Sequence, residues 1–95
     1  FKGLGQFCIE NKIDLVVVGP EVPLVKGIRD YFETRPELQK VLMVGPGKEG
    51  AQLEGSKDFS KQFMVRHGIP TARAKTFQAS QLADGLTYLS QLTPP

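Results

Sequence analysis

Asp14-Leu15-Val16-Val17-Val18-Gly19-Pro20-Glu21-Val22-Pro23-Leu24 holds an uninterrupted apolar run closed by a Gly-Pro pair. Ile13 to Val18 reads as a strand. Leu15 to Val18 is continuously apolar, with three consecutive β-branched valines, as expected of a strand covered on both faces in a parallel sheet. Beyond the Gly-Pro stop, Leu24, Ile28, Tyr31 and Phe32 fall at i, i+4, i+7 and i+8, which predicts one helix from about residue 24 to 34 with a single apolar stripe. Pro36 ends it. Val41 to Val44 is a second short apolar strand, closed by Gly45-Pro46 as the first is closed by Gly19-Pro20. Strand, helix, strand is a βαβ unit, so the fold class is α/β with a parallel sheet and flanking helices.

On the amino-terminal side, Leu4, Phe7 and Cys8 recur at helical spacing up to Asn11 and Lys12. On the carboxyl side a loop follows Gly45-Pro46. Then comes a helix from about Ser56 to His67, capped by Ser56 and burying Phe59, Phe63 and Met64, with Gly68 and Pro70 as its stop. Thr71 to Phe77 reads as a third strand. Leu82, Leu86 and Leu89 mark a last helix that gives out at Thr93-Pro94-Pro95.

The 95 residues are 40% hydrophobic and 23% charged, enough for one small domain with a modest core. At this length folding buries little more than about 60% of the unfolded chain's surface, so a missing neighbour leaves the chain marginally stable. The net charge of +2 comes from scattered residues. Lys48, Lys57, Lys61 and Arg66 are interleaved with Glu49, Glu54 and Asp58, which describes a solvated surface and gives no indication of nucleic-acid binding. A single cysteine builds no internal disulfide. Cys8, set among Leu4, Phe7 and Ile9, reads as a buried inert thiol in a reducing, cytoplasmic setting. No apolar run approaches the roughly 18 residues of a membrane span, and no secretory leader opens the chain. Phe1 is not a natural start, so further sequence is expected upstream.

Two Gly-Pro pairs directly after two strands are the most informative local feature, because open α/β sheets bind ligands at the carboxyl ends of their strands. In Gly19-Pro20-Glu21-Val22-Pro23-Leu24, glycine permits close backbone approach, proline stiffens the loop and Glu21 offers an acceptor for hydroxyl or amine hydrogens. The plainer account is a rigid strand-to-helix connection with Glu21 favouring the helix dipole, and spacing alone leans towards it. Gly45-Pro46-Gly47-Lys48-Glu49-Gly50 matches G-x-G-x-x-G. It lacks an acidic residue at positions 68 to 74 to hold a ribose, and Pro46 removes a backbone donor, so a dinucleotide site is rejected. Gly50 through Gly55-Ser56-Lys57 approximates a phosphate loop with serine and lysine in the wrong order. Lys57 can still reach a phosphate from a helix N-terminus, although an ordinary exposed lysine is the better account on the residues alone. His67 reads as structural, and no metal site or nucleophile-base pair is expected.

Asp14 to Gly27 resembles the segment that closes the N-terminal domain of the glycinamide ribonucleotide synthetase (phosphoribosylamine-glycine ligase) family. A second block, Ala51-Gln52-Leu53-Glu54-Gly55-Ser56-Lys57 with Phe59, Lys61, Phe63, Met64 and Arg66 to Ala72, is similar to the stretch leading into that family's ATP-grasp region. Departures are small: Gly47 stands where the family usually has serine, Gly50 where it has alanine, and the loop around Arg35 to Gln39 is slightly extended. The resemblance implies a partial nucleotide-fold (Rossmann-like) sheet running into the start of an ATP-grasp region. Residues 1–54 would be the carboxyl-terminal part of the substrate-binding domain, and 55–95 the linking helix and the start of the ATP-grasp region.

It further implies a ligase joining glycine to 5-phosphoribosylamine with ATP cleaved to ADP and phosphate. Glycine is activated as an acyl phosphate that the amine attacks, and Mg²⁺ or Mn²⁺ neutralises the phosphates. Gly19, Pro20, Glu21, Pro23 and Leu24 would help form the phosphoribosylamine pocket, and Lys57 would lie at the edge of the ATP site. The family's opening strand, glycine-rich loops and metal-holding carboxylates are not in this chain, so it is expected to bind no cofactor and to be inactive by itself. A sheet without its first strands exposes an edge and apolar faces, which self-association would cover. The alternatives are a piece of another ATP-grasp ligase or carboxylase, and a non-catalytic nucleotide-fold binding module.

Overall fold

The computed structural model describes residues 1–93; Pro94 and Pro95, the expected stop of the last helix, lie outside the described residues. Strand β1 (Leu15–Val17) pairs in parallel with β2 (Leu42–Val44), with Leu15 opposite Leu42, Val16 opposite Met43 and Val17 opposite Val44. Backbone bonds flank the ladder, Leu42 N donating to Asp14 O at 2.8 Å and Val18 N to Val44 O at 3.2 Å. The crossover runs through α2 (Glu21–Val25), α3 (Ile28–Glu33) and a 3-10 turn (Pro36–Leu38), giving the expected βαβ unit.

The single helix expected over 24–34 is two helices. Gly27 adopts φ +84°, a left-handed conformation open to glycine at no steric cost, and the chain changes direction there. Lys26 N and Gly27 N close α2 onto Val22 O and Leu24 O, and Gly27 O begins α3 by accepting from Tyr31 N. The apolar stripe survives the break: Leu24, Ile28 and Phe32 are all buried. With Cys8, Leu38 and Ala51 they form the core, and Ile13, Val16, Val18, Val25, Tyr31, Val41 and Met43 pack around it. Helix α1 (Lys2–Glu10) joins this core through Cys8, buried as expected.

All of these helices serve one face of the sheet. Val16 and Met43 point into the core, whereas Leu15, Val17, Leu42 and Val44 are 52%, 66%, 67% and 53% exposed. The expected two-faced coverage of β1 is therefore corrected: among the described residues nothing covers the second face.

Helix α4 (Lys48–Gly55) occupies most of what the sequence pattern presents as a loop. Its apolar content is too low to show a stripe, and it is held instead by contact with α2, where Ala51 is buried and Val25 Cγ2 lies 2.5 Å from where a Gly55 Cβ would stand. Helix α5 (Lys57–Arg66) follows at once, with Ser56 Oγ accepting from Phe59 N at 3.2 Å. At its other end Gly68 N bonds to Val65 O and Ile69 N to Met64 O, the paired arrangement that ends a helix at a glycine. The expected buried stripe on α5 is not present: Phe59 is exposed, Phe63 and Met64 are half-buried, and no residue of α5 is buried.

Thr71 to Phe77 forms no strand. It has no sheet neighbour, and side chains tie it to α5: Lys61 Nζ donates to Thr71 Oγ1 and Ala72 O, and Thr76 Oγ1 donates to Asp58 Oδ1. A 3-10 turn (Ala79–Gln81) leads into α6 (Leu82–Ser90), whose Gly85 and Tyr88 pack on Phe77. Leu82, Leu86 and Leu89 lie on the solvent side, 69%, 58% and 61% exposed. The radius of gyration is 19.2 Å, against about 12 Å for a compact chain of this length. No helix among the described residues is long and apolar enough to cross a membrane.

Candidate functional site

Parallel pairing puts both Gly-Pro pairs at the same edge of the sheet, where the carboxyl ends of β1 and β2 open. Gly19, Pro20 and Glu21 are exposed there, Pro23 is half-buried and Leu24 is buried. Pro20, extended at φ −80° and ψ 147°, starts α2, and Pro23 is tolerated in its first turn because no intrahelical donor is lost. Glu21 and Val22 line a shallow cleft of about 220 Å³ with Val25, Lys26, Glu54 and Gly55. The backbone at Gly19 is open, with nothing within 4 Å of where a side chain would begin. Leu24 has another role: its Cδ2 lies 2.6 Å from where a Cβ on Gly45 would stand, so the buried side chain joins the first strand-end loop to the second.

The second loop is pinned from α3. Arg29 Nη1 donates to Gly45 O at 2.8 Å while its Nε pairs with Glu33 Oε1 at 2.7 Å. Asp30 Oδ2 accepts from Lys48 N at 2.8 Å, filling the first free donor of α4 with a carboxylate. A phosphate bound at a G-x-G-x-x-G loop would need this same helix terminus, so Asp30 gives a direct structural reason for rejecting a dinucleotide site at Gly45–Gly50. Sequence reasoning missed Arg29 and Asp30. They sit between buried Ile28 and Phe32, and nothing in their spacing separates them from ordinary solvent-facing charges; only the turn at Gly27 aims them at the loop.

Lys57 stands apart from this group. It is the first residue of α5, exposed, with no side-chain hydrogen bond or ion pair among the described residues, and it does not line the Glu21 cleft. A larger groove lies further along, about 680 Å³ bounded by Asp58, Lys61, Arg66, Arg73, Thr76 and Tyr88 among others. His67 caps the end of α5 with its ring 4.4 Å from that of Phe63, a structural position. Among the described residues no group of three or more His, Cys, Asp or Glu side chains is placed to hold a metal ion, so the divalent cation that the family resemblance implies finds no ligand set here.

Residues 1–54 match the family model described as phosphoribosylglycinamide synthetase, N domain. The chain is 47% identical over 90 residues to phosphoribosylamine-glycine ligase of Clostridium acetobutylicum, which covers 95% of the chain and 20% of that protein. It is 48% identical over 84 residues to the protein of the same name from Nostoc, covering 87% of the chain and 19% of that protein. It is also 54% identical over 74 residues to the human trifunctional purine biosynthetic protein adenosine-3, covering 78% of the chain and 7% of that protein. The chain thus spans about a fifth of the length of the single-function relatives it matches. More than half of its residues fit the family model in a region that includes both strands, the Gly19–Leu24 loop and the Arg29–Asp30 pins, and the chain belongs to the phosphoribosylglycinamide synthetase family.

Proposed function

We propose that this chain is part of an ATP-dependent ligase that joins glycine to 5-phosphoribosylamine, giving glycinamide ribonucleotide, ADP and phosphate, and that it supplies one wall of the amine-substrate pocket. The observation that carries this reading is the coincidence of the family's N domain with a loop at the carboxyl end of β1, beside that of β2, in which Gly19, Pro20 and Glu21 are exposed. Gly19 leaves room for a sugar to approach the backbone, Pro20 and Pro23 hold the loop rigid, and Leu24 anchors it in the core. Glu21 accepts hydrogen bonds from hydroxyl or amine groups.

Residues 1–54 then close the substrate-binding domain, a division supported by the family match ending at 54, and 55–95 lead into the ATP-grasp region. Lys57 lies at the edge of the ATP site, where an ammonium beside a helix N-terminus favours phosphate. Glycine reacts through an acyl phosphate attacked by the amine. The Mg²⁺ or Mn²⁺ of such ligases is held by residues other than these, and no step through it is assigned to this chain. The setting is purine biosynthesis, which the human relative's name supports, and its compartment is the cytoplasm.

The test is Glu21→Gln in the full-length ligase. The amide keeps one acceptor oxygen but loses the negative charge and turns the other oxygen into a donor, which predicts a KM for phosphoribosylamine raised roughly tenfold, with the KM for ATP little changed. An unaltered KM for the amine would remove Glu21 from the pocket.

A further inference from the structure

The β2–α4 loop is fixed to the Gly19–Gly27 block at several points, and two of the residues that fix it come from α3. Asp30 holds Lys48 N at 2.8 Å, and Arg29 holds Gly45 O at 2.8 Å. The carboxylate is also close to both glycines that flank the junction: a Cβ on Gly27 would lie 3.5 Å from Oδ2, and one on Gly47 3.6 Å from Oδ1. Leu24 completes the attachment from below, against Gly45. Gly45 itself has φ +147°, which glycine permits and other residues avoid, so the loop holds a conformation that its sequence alone does not enforce. Because glycine reaches this and other conformations freely, the contacts around Gly45 select the one that the loop adopts.

We propose that Asp30 is a positioning residue for the sugar-phosphate substrate: it locks the Gly45–Lys48 loop to α2 and α3 so that the two strand-end loops present one rigid crevice. Asp30 does not touch the ligand. It acts through Lys48 N and the α4 terminus, and Arg29 assists through Gly45 O. The inference rests on the reading of the Gly19–Leu24 crevice as the amine-substrate pocket, and its test separates the two.

The experiment uses the full-length ligase with Asp30→Ala, Asp30→Asn, Arg29→Ala and Glu21→Gln, titrated calorimetrically with the stable product glycinamide ribonucleotide, alongside the KM for ATP. Asp30→Ala is expected to weaken product binding roughly tenfold, in keeping with the cost of small misplacements in a binding site. Asp30→Asn keeps an acceptor oxygen for Lys48 N and is expected to bind within about threefold of wild type. The KM for ATP is expected to stay within about twofold, because interactions with that substrate are untouched. A role in general stability would instead weaken ATP and product alike and would not be rescued by asparagine; that pattern overturns the inference. Unchanged product binding in Asp30→Ala, with Glu21→Gln weakened, also overturns it while the pocket reading stands. If neither substitution alters product binding, the pocket reading fails and takes the inference with it. Should Asp30→Ala not fold, Arg29→Ala decides: unaltered product binding in that variant overturns the proposed locking of the loop.

Discussion

Gly19 and Gly45 occupy matching places after the two strands, and their physical demands differ. A Cβ on Gly19 meets nothing within 4 Å, whereas one on Gly45 would stand 2.6 Å from Leu24 Cδ2 on a backbone at φ +147°. Gly45→Ala in the full-length protein is therefore expected to destabilise the domain by about 1–3 kcal/mol from backbone conformation, with the Leu24 overlap adding to it. Gly19→Ala is expected to change stability by no more than about 0.5 kcal/mol. Urea or thermal unfolding of the two variants side by side measures the contrast. Equal stability would show that the loop relaxes at no cost. Under the proposed function Gly19→Ala should still weaken substrate binding, since its methyl group would fill the open space beside the crevice.

Among the elements, the Thr71–Phe77 segment shows how a pattern suited to a strand settles without a sheet. Its hydrogen bonds go to side chains of α5, from Lys61 to Thr71 and Ala72 and from Thr76 to Asp58 at 2.6 Å. These contacts are exposed, so each contributes little, about 0.5–1.5 kcal/mol. Lys61→Ala and Asp58→Ala together are expected to free the segment while leaving the βαβ core in place. Hydrogen exchange is the measurement: amides of residues 71–77 should lose whatever protection they have, and those of 15–17 and 42–44 should keep theirs. Equal loss at both would mean that the two parts unfold together. The interruption at Gly27 is the other decisive event at this scale. It splits one amphipathic stripe between α2 and α3 without exposing Leu24, Ile28 or Phe32, and it aims Arg29 and Asp30 at the neighbouring loop.

Taken whole, the molecule exposes 7543 Å², where a compact monomer of its mass exposes about 5,400 Å². The excess, roughly 2,000 Å², is comparable with the total area buried in a protein interface of standard size. Part of it is the open sheet face of Leu15, Val17, Leu42 and Val44, and part is the leucine row of α6. The isolated 95 residues are expected to self-associate at micromolar concentration, and Val17→Thr with Leu42→Thr should shift light-scattering mass towards the monomer. A wild-type chain that stays monomeric and unfolds cooperatively would refute this. The isolated chain is also expected to form no glycinamide ribonucleotide from ATP, glycine and phosphoribosylamine, because no set of metal ligands is present among its described residues and, under the proposed function, it supplies only one wall of the substrate pocket. Product formed by the pure chain would overturn that expectation.

The βαβ unit, the strand-end placement of both Gly-Pro pairs, the burial of Cys8, Leu24, Ile28 and Phe32, and the Ser56 cap are legible in the amino-acid order, because each follows from local periodicity or from one side chain bonding its near neighbours. The family was legible too, in the two long blocks around Gly19 and Ser56. Tertiary structure alone decided the break at Gly27, helix α4, the irregular course of Thr71–Phe77 and the uncovered sheet face. It also decided the part of the site that local pattern could not show: Asp30 and Lys48 are 18 positions apart, Arg29 and Gly45 16 apart. Their bonds exist only because a left-handed glycine turns α3 toward the end of β2, and periodicity along a chain carries no information about which distant backbone group a charged side chain will meet.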